Sequence, residues 1–124
     1  MRILVADDSV LVRSGIAEIL SDRAWEICGE ASDGTEALEK ARRLKPDLVL
    51  LDVSMPGTNG LVIAGLIRKE LPAVRIVMVS LHALDQFLDK AHVHLADGLV
   101  DKSRLGTDLV PIINKLFGDD RTSS

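Results

Sequence analysis

The sequence predicts an α/β fold, a doubly wound five-stranded parallel sheet with helices on both faces. Three observations lead there. Short apolar runs recur at Ile3–Ala6, Leu48–Leu51 and Ile76–Val79, with weaker ones at Glu26–Glu30 and Gly98–Val100. Helical periodicities fall between these runs. The two signals alternate along the chain, strand then helix, five times over. Each helix must carry the chain back to the same edge of the sheet, so the alternation implies parallel strands and right-handed crossovers.

The elements follow in order. Ile3–Ala6 is apolar at every position, as a strand buried on both faces requires. Val12, Ile16, Ile19 and Leu20 then share one helical face. After the weak run Glu26–Glu30, Asp33-Gly34 reads as a cap and turn ahead of the stripe Ala37, Leu38, Ala41 and Leu44. Leu48–Leu51 is the central strand. Ile63, Ala64, Ile67 and Leu71 form a third stripe, and Ile76–Val79 a fourth strand. Leu84, Phe87, Leu88 and Ala91 form a fourth stripe, Gly98–Val100 a fifth strand, and Leu109, Ile112, Ile113 and Leu116 a fifth stripe. Pro111 is tolerable there if this last helix starts at Thr107 or Asp108, because a first turn has no internal N–H bond to lose. Residues 1–118 are read as one domain, and the polar stretch 119–124 as a tail or the start of a linker.

Composition narrows the function. A chain of 124 residues, 47% hydrophobic, suffices for one domain with a real core. Its only aromatics are Trp25, Phe87 and Phe117, so that core is aliphatic. A net charge of -4 argues against direct nucleic-acid binding. The single cysteine, Cys28, cannot close an internal disulfide, which fits a reducing cytoplasm. No apolar stretch approaches the roughly 18 residues of a membrane span, and no leader peptide is evident. His92 and His94 lack a third ligand and read as surface histidines.

In open α/β sheets the working site lies at the carboxyl ends of the strands. There the first strand carries Asp7 and Asp8, the third Asp52, the fourth Ser80 and the fifth Lys102. Three crowded carboxylates repel one another unless a cation sits among them. A hard dication such as Mg²⁺ meets that need, and Lys102 adds a further positive charge. Such a rim suits a dianionic phosphoryl group, with Ser80 as hydrogen-bond donor and one carboxylate as nucleophile. Asp52, the lone acid ending the central strand, is the candidate nucleophile. Asp7 and Asp8 are the candidate metal holders.

Together "VADDS", "LVLLDVSMPGTNGL", "IVMVS" and "ADGLVDKS" resemble the response-regulator receiver domains of the CheY-like superfamily, over roughly residues 1–118. The loop "SMPGTNG" and the segment "DSVLVRSGI" are most similar to regulators with LuxR-type DNA-binding output. The resemblance implies a flavodoxin-like (βα)5 sheet of order 2-1-3-4-5. It implies Asp52 as phosphoacceptor, Asp7, Asp8, Asp52 and the Ser54 carbonyl as Mg²⁺ ligands, and Ser80 and Lys102 on the phosphoryl oxygens. Ser54 and His82 fall at positions that tune dephosphorylation. The implied partners are a sensor histidine kinase and a C-terminal effector domain, with a homodimer through the face of the fourth and fifth helices and the fifth strand. No nucleic-acid or membrane contact is expected of this domain itself.

Three departures from the family pattern stand out. Leu99 occupies the switch position, where an aromatic is usual, Leu95 stands where the family has a glycine near the end of the fourth helix, and Ser103 follows Lys102 where proline is frequent. Two rival readings bear on function. A degenerate receiver would act by constitutive protein–protein interaction. A phosphohydrolase with an aspartate nucleophile would want a second acid two places after Asp52, where this chain has Ser54. Val62 and Leu66, four apart on the third helix, are read either as scattered surface residues or as a contact patch.

Overall fold

A computed structural model describes residues 1–55, 57, 59–81 and 96–118. The fourth helical stripe, His82, His92, His94, Leu95 and the tail 119–124 lie outside the described residues. Five strands form one parallel sheet: β1 (Arg2–Ala6), β2 (Glu26–Ala31), β3 (Leu48–Asp52), β4 (Arg75–Ser80) and β5 (Gly98–Asp101). Their spatial order is β2-β1-β3-β4-β5, as the resemblance implies. The described helices are α1 (Val10–Leu20), α2 (Gly34–Leu44), α3 (Gly60–Glu70) and α4 (Leu105–Phe117).

Strand side chains alternate between two aliphatic layers, because successive residues of a strand point to opposite faces. Leu4, Val49, Leu51, Ile76 and Met78 pack with Ala37, Ala41, Ile63 and Ile67 of α2 and α3. Ile3, Val5, Leu50, Val77 and Val79 pack with Ile16 and Leu20 of α1 and Leu109 and Ile113 of α4. All five residues of β3 are buried, which explains its unbroken apolar run up to Asp52. β2 is an edge strand and reads weakly for a local reason. Its register with β1 shifts between Ile27 and Gly29, leaving Cys28 as a bulge. Burial pushes the half-buried Cys28 thiol above its ordinary range, so it stays protonated.

Local chemistry sets the helix starts. Ser9, Asp33 and Asn59 each accept a backbone N–H of the first turn of α1, α2 and α3. The start of α4 departs from expectation. A 3₁₀ turn at Lys102–Arg104 leads straight into a helix beginning at Leu105, so Pro111 lies inside the helix and not in its first turn. Burial of Leu105, Leu109 and Ile113 favours the longer helix. Thr107, four residues before the proline, is exposed, so water is available to its carbonyl. The peptide bond before Ser103 is trans. Val62 and Leu66 are 57% and 40% exposed on α3. No helix among the described residues is long and apolar enough to cross a membrane.

One polar anchor ties the β5 entry to β4 and α3. The Asp97 carboxylate accepts the Ile76 N–H at 2.8 Å, Arg68 Nη2 at 2.7 Å and Arg75 Nη1 at 3.3 Å. Burial alone would raise its pKa. The Ile76 N–H and the arginines outweigh burial and hold it below the ordinary aspartate range. Such a group stabilises the fold fully above its unfolded pKa of about 3.9, and the contribution fades as pH falls through the folded value. We expect Asp97→Ala to lose about 2–3 kcal/mol at pH 7. Urea titrations of parent and variant should then converge as the pH drops below 3.9.

Candidate functional site

The carboxyl edge of the sheet collects the predicted groups. Asp7 immediately follows β1 and is 1% exposed. Its N–H still donates to the Ala31 carbonyl at 2.9 Å, an extension of the β1–β2 ladder. Its Oδ1 accepts the Ser9 N–H at 2.8 Å, which turns the chain toward α1. Asp52 ends β3, equally buried, and its Oδ1 accepts the Ser54 N–H at 2.9 Å. Asp8 is exposed, yet Asp7, Asp8 and Asp52 each present an oxygen within 4.8 Å of the others.

Lys102 Nζ lies between the two buried acids, 3.0 Å from Asp7 Oδ2 and 3.1 Å from Asp52 Oδ2. The Asp52 contact is a directed hydrogen bond. Asp7 Oδ2 is a buried oxygen held by the ion pair with the same ammonium. Two ionised carboxylates 4–5 Å apart repel by about 3–4 kcal/mol at an effective dielectric near 20, which a shared ammonium at closer range more than offsets. Burial raises the Asp52 pKa, and the Asp7 charge adds to it, against the Ser54 N–H and Lys102. For Lys102, burial acts downward, but its contacts with Asp7 and Asp52 win and hold the ammonium above its ordinary range.

The donor set fits a hard dication. Three carboxylates and one ammonium leave a formal charge of 3 − 1 = 2 negative when all are ionised. The ligand atoms are oxygens, the donors that a hard dication takes.

The loop after β3 is held in place by a close backbone approach. Gly60 N donates to the Val53 carbonyl at 3.1 Å. A Cβ on Gly60 would sit 2.6 Å from Val53 Cα and 2.9 Å from the Asp52 and Val53 carbonyl oxygens. Only glycine lets α3 begin this near the acid.

The remaining predicted residues are placed as follows. Ser80 is fully buried at the end of β4, and its hydroxyl donates to the Leu81 carbonyl at 3.2 Å. Ser54 is exposed, and it is its amide that meets the Asp52 carboxylate. Leu99 is half-buried, opposite Met78 in the β4–β5 register and packed on the α2–α3 layer. His82 lies outside the described residues. Sequence reasoning missed Arg13, whose Nη1 donates to the Asp7 carbonyl at 2.5 Å. No motif flags it, because an arginine on an amphipathic helix reads as a solvated side chain. A cleft of about 350 Å³, lined in part by Asp47, Glu70, Arg75 and Phe117, opens at the amino-terminal edge of the sheet. Three of its charged groups are engaged: Asp47 accepts the Arg2 N–H, Glu70 pairs with Arg42, and Arg75 with Asp97.

A family model for the response regulator receiver domain matches residues 3–114. Response regulator GacA of Pseudomonas viridiflava is 37% identical over 122 residues, covering 98% of this chain and 57% of that protein. The chain thus spans somewhat over half the length of that relative. A LuxR-family two-component response regulator from Aurantimonas sp. superposes with a TM-score of 0.85 at 33% identity, covering 93% of this chain and 83% of the other. The Thermotoga maritima response regulator TrrA, solved in complex with Mg²⁺ and BeF, superposes with a TM-score of 0.82 at 36% identity, covering 93% and 97%.

Two outcomes are expected. Lys102→Met leaves two buried carboxylates without their cation, for a loss of about 3–5 kcal/mol at pH 7. Asp52 already resists ionisation, so the deficit should shrink as pH falls and that carboxyl takes up a proton, read by urea unfolding across pH. Gly60→Ala should cost about 1–3 kcal/mol by overpacking, read in the same assay.

Proposed function

The chain belongs to the response regulator receiver domain family, and on that premise we propose that it is a phosphorylation-driven switch with Asp52 as its phosphoacceptor. The observation that carries this reading is the Lys102 ammonium lying between Asp7 Oδ2 and Asp52 Oδ2, with Asp8 within ligand range. A buried carboxylate beside a fixed cation is a poised nucleophile, because the charge it must face in an incoming phosphoryl group is already partly answered.

In the proposed reaction the Asp52 carboxylate attacks the phosphorus of a phosphohistidine on a sensor kinase. The N–P bond breaks as the O–P bond forms, and the histidine leaves with its electron pair. Lys102 neutralises the phosphoryl oxygens. Asp7, Asp8, Asp52 and the Ser54 carbonyl would hold Mg²⁺, which when bound supplies further positive charge against those oxygens. Ser80, whose hydroxyl donates to Leu81 before transfer, would turn to donate to the new phosphoryl group. That rotation would alter packing toward β5, where half-buried Leu99 transmits it by shape and not through a hydroxyl. Ser54 would face the reaction from the loop after β3 and tune hydrolysis of the acyl phosphate, and His82 is proposed for the same role. The altered face, β5 with the flanking helices, would dimerise or dock an effector domain carried elsewhere in a longer protein. Likeness to GacA and to LuxR-family regulators supports transcriptional control as that output, with the domain acting in the cytoplasm beside its kinase.

Acetyl phosphate with Mg²⁺ tests the reading by intact-mass analysis. We expect one slowly decaying phosphoryl group per chain, absent in Asp52→Asn. Many equivalents of released phosphate would point to a hydrolase, and no labelling at all to a degenerate receiver. Either result overturns the proposal.

A further inference from the structure

Arg13 has no part in the reaction above, yet it is built into the site. Its side chain is only 15% exposed, low for an arginine on a helix surface. Nη1 donates to the Asp7 main-chain carbonyl at 2.5 Å and Nε to Glu30 Oε1 at 2.8 Å. The Asp7 N–H faces β2, so its carbonyl does too, and Asp7 lies one residue beyond the last β1–β2 pair, Ala6 with Ala31. Its carbonyl has therefore left the sheet ladder and takes its donor from Arg13. The far arm is anchored in turn. Lys40 of α2 donates to the Glu30 carbonyl and pairs with Glu36 at 3.5 Å. Glu36 accepts the Ser32 N–H at 2.6 Å. A chain of charged contacts thus runs from α2 through β2 to the peptide of Asp7.

Resting on the receiver reading, we infer that Arg13 is a positioning residue for the cation site. By tethering the Asp7 carbonyl to β2 it fixes the Asp7–Ser9 turn. Oδ1 then stays engaged by the Ser9 N–H, Oδ2 stays on the ion pair with Lys102, and Asp7 keeps a carboxylate oxygen within ligand range of Asp8 and Asp52. Two mechanisms make opposite demands of this residue. Through charge alone, a guanidinium beside an acidic pocket repels a dication, so its removal tightens Mg²⁺ binding. Through positioning, its removal loosens Asp7 and weakens binding, as loss of outer supports commonly does by 10–100-fold.

The sign of the change decides. Isothermal titration of the unphosphorylated chain with MgCl₂ should show Arg13→Ala weakened by about 10–100-fold. Arg13→Lys should be weakened too, because one ammonium cannot reproduce the two-armed fork although it keeps the charge. At saturating Mg²⁺, Arg13→Ala should regain the parental rate of labelling by acetyl phosphate. Unchanged or tighter Mg²⁺ binding in Arg13→Ala overturns the inference, as does labelling that stays depressed at saturating Mg²⁺. Should Arg13→Ala fail to fold by circular dichroism, Arg13→Lys decides by the same criteria. A parent chain that binds no Mg²⁺ overturns the receiver reading and this inference with it, whereas a binding parent with an indifferent Arg13→Ala overturns this inference alone.

Discussion

Lys102 Nζ touches both buried acids at the carboxyl edge of the sheet, Asp7 at 3.0 Å and Asp52 at 3.1 Å. That bridge reaches from the end of β5, past β4, to the ends of β3 and β1. Without it two carboxylates that are each 1% exposed would face one another with no positive charge between them. Burying unpaired charge is among the larger penalties a fold can carry. The strand order therefore has to bring the fifth strand's lysine within reach of the first and third strands' acids.

The bridge leaves the site deliberately incomplete. One ammonium does not balance three carboxylates, and Asp52 remains harder to ionise than a solvated aspartate. A pocket fully satisfied by its own side chains would have nothing to offer a phosphoryl group or a dication. The residual negative charge is what a bound cation would neutralise, and any ligand that binds only the folded chain adds to its stability.

Rigid backbone contacts hold this unbalanced pocket open. The Ser54 N–H fixes one Asp52 oxygen, the Ser9 N–H fixes one Asp7 oxygen, and Gly60 lets α3 start against the Asp52 and Val53 carbonyls. These supports come from main-chain groups, whose positions are set by the sheet and the helix starts. Side-chain supports such as Arg13 then link the first turn of the site to the edge strand. At the far end of the sheet, Asp97 gathers Arg68, Arg75 and the Ile76 N–H, so β5 is pinned at its start while Lys102 works at its end.

By itself the sequence determined the alternation of strands and helices, the aliphatic core and the acids, serine and lysine at the strand ends. These depend on side-chain period and on rules that act within one element. Pro111 taken locally favours a start for α4 at Thr107 or Asp108, whereas burial of Leu105 against the sheet extends the helix two residues ahead of Thr107. The Cys28 bulge, the present direction of the Ser80 hydroxyl, the need for glycine at position 60 and the tether through Arg13 were decided only by tertiary structure. Each depends on which atoms of a distant segment come within about 3 Å, the range of a hydrogen bond or a steric clash. That proximity is a property of the folded sheet and has no counterpart in the spacing of residues along the chain.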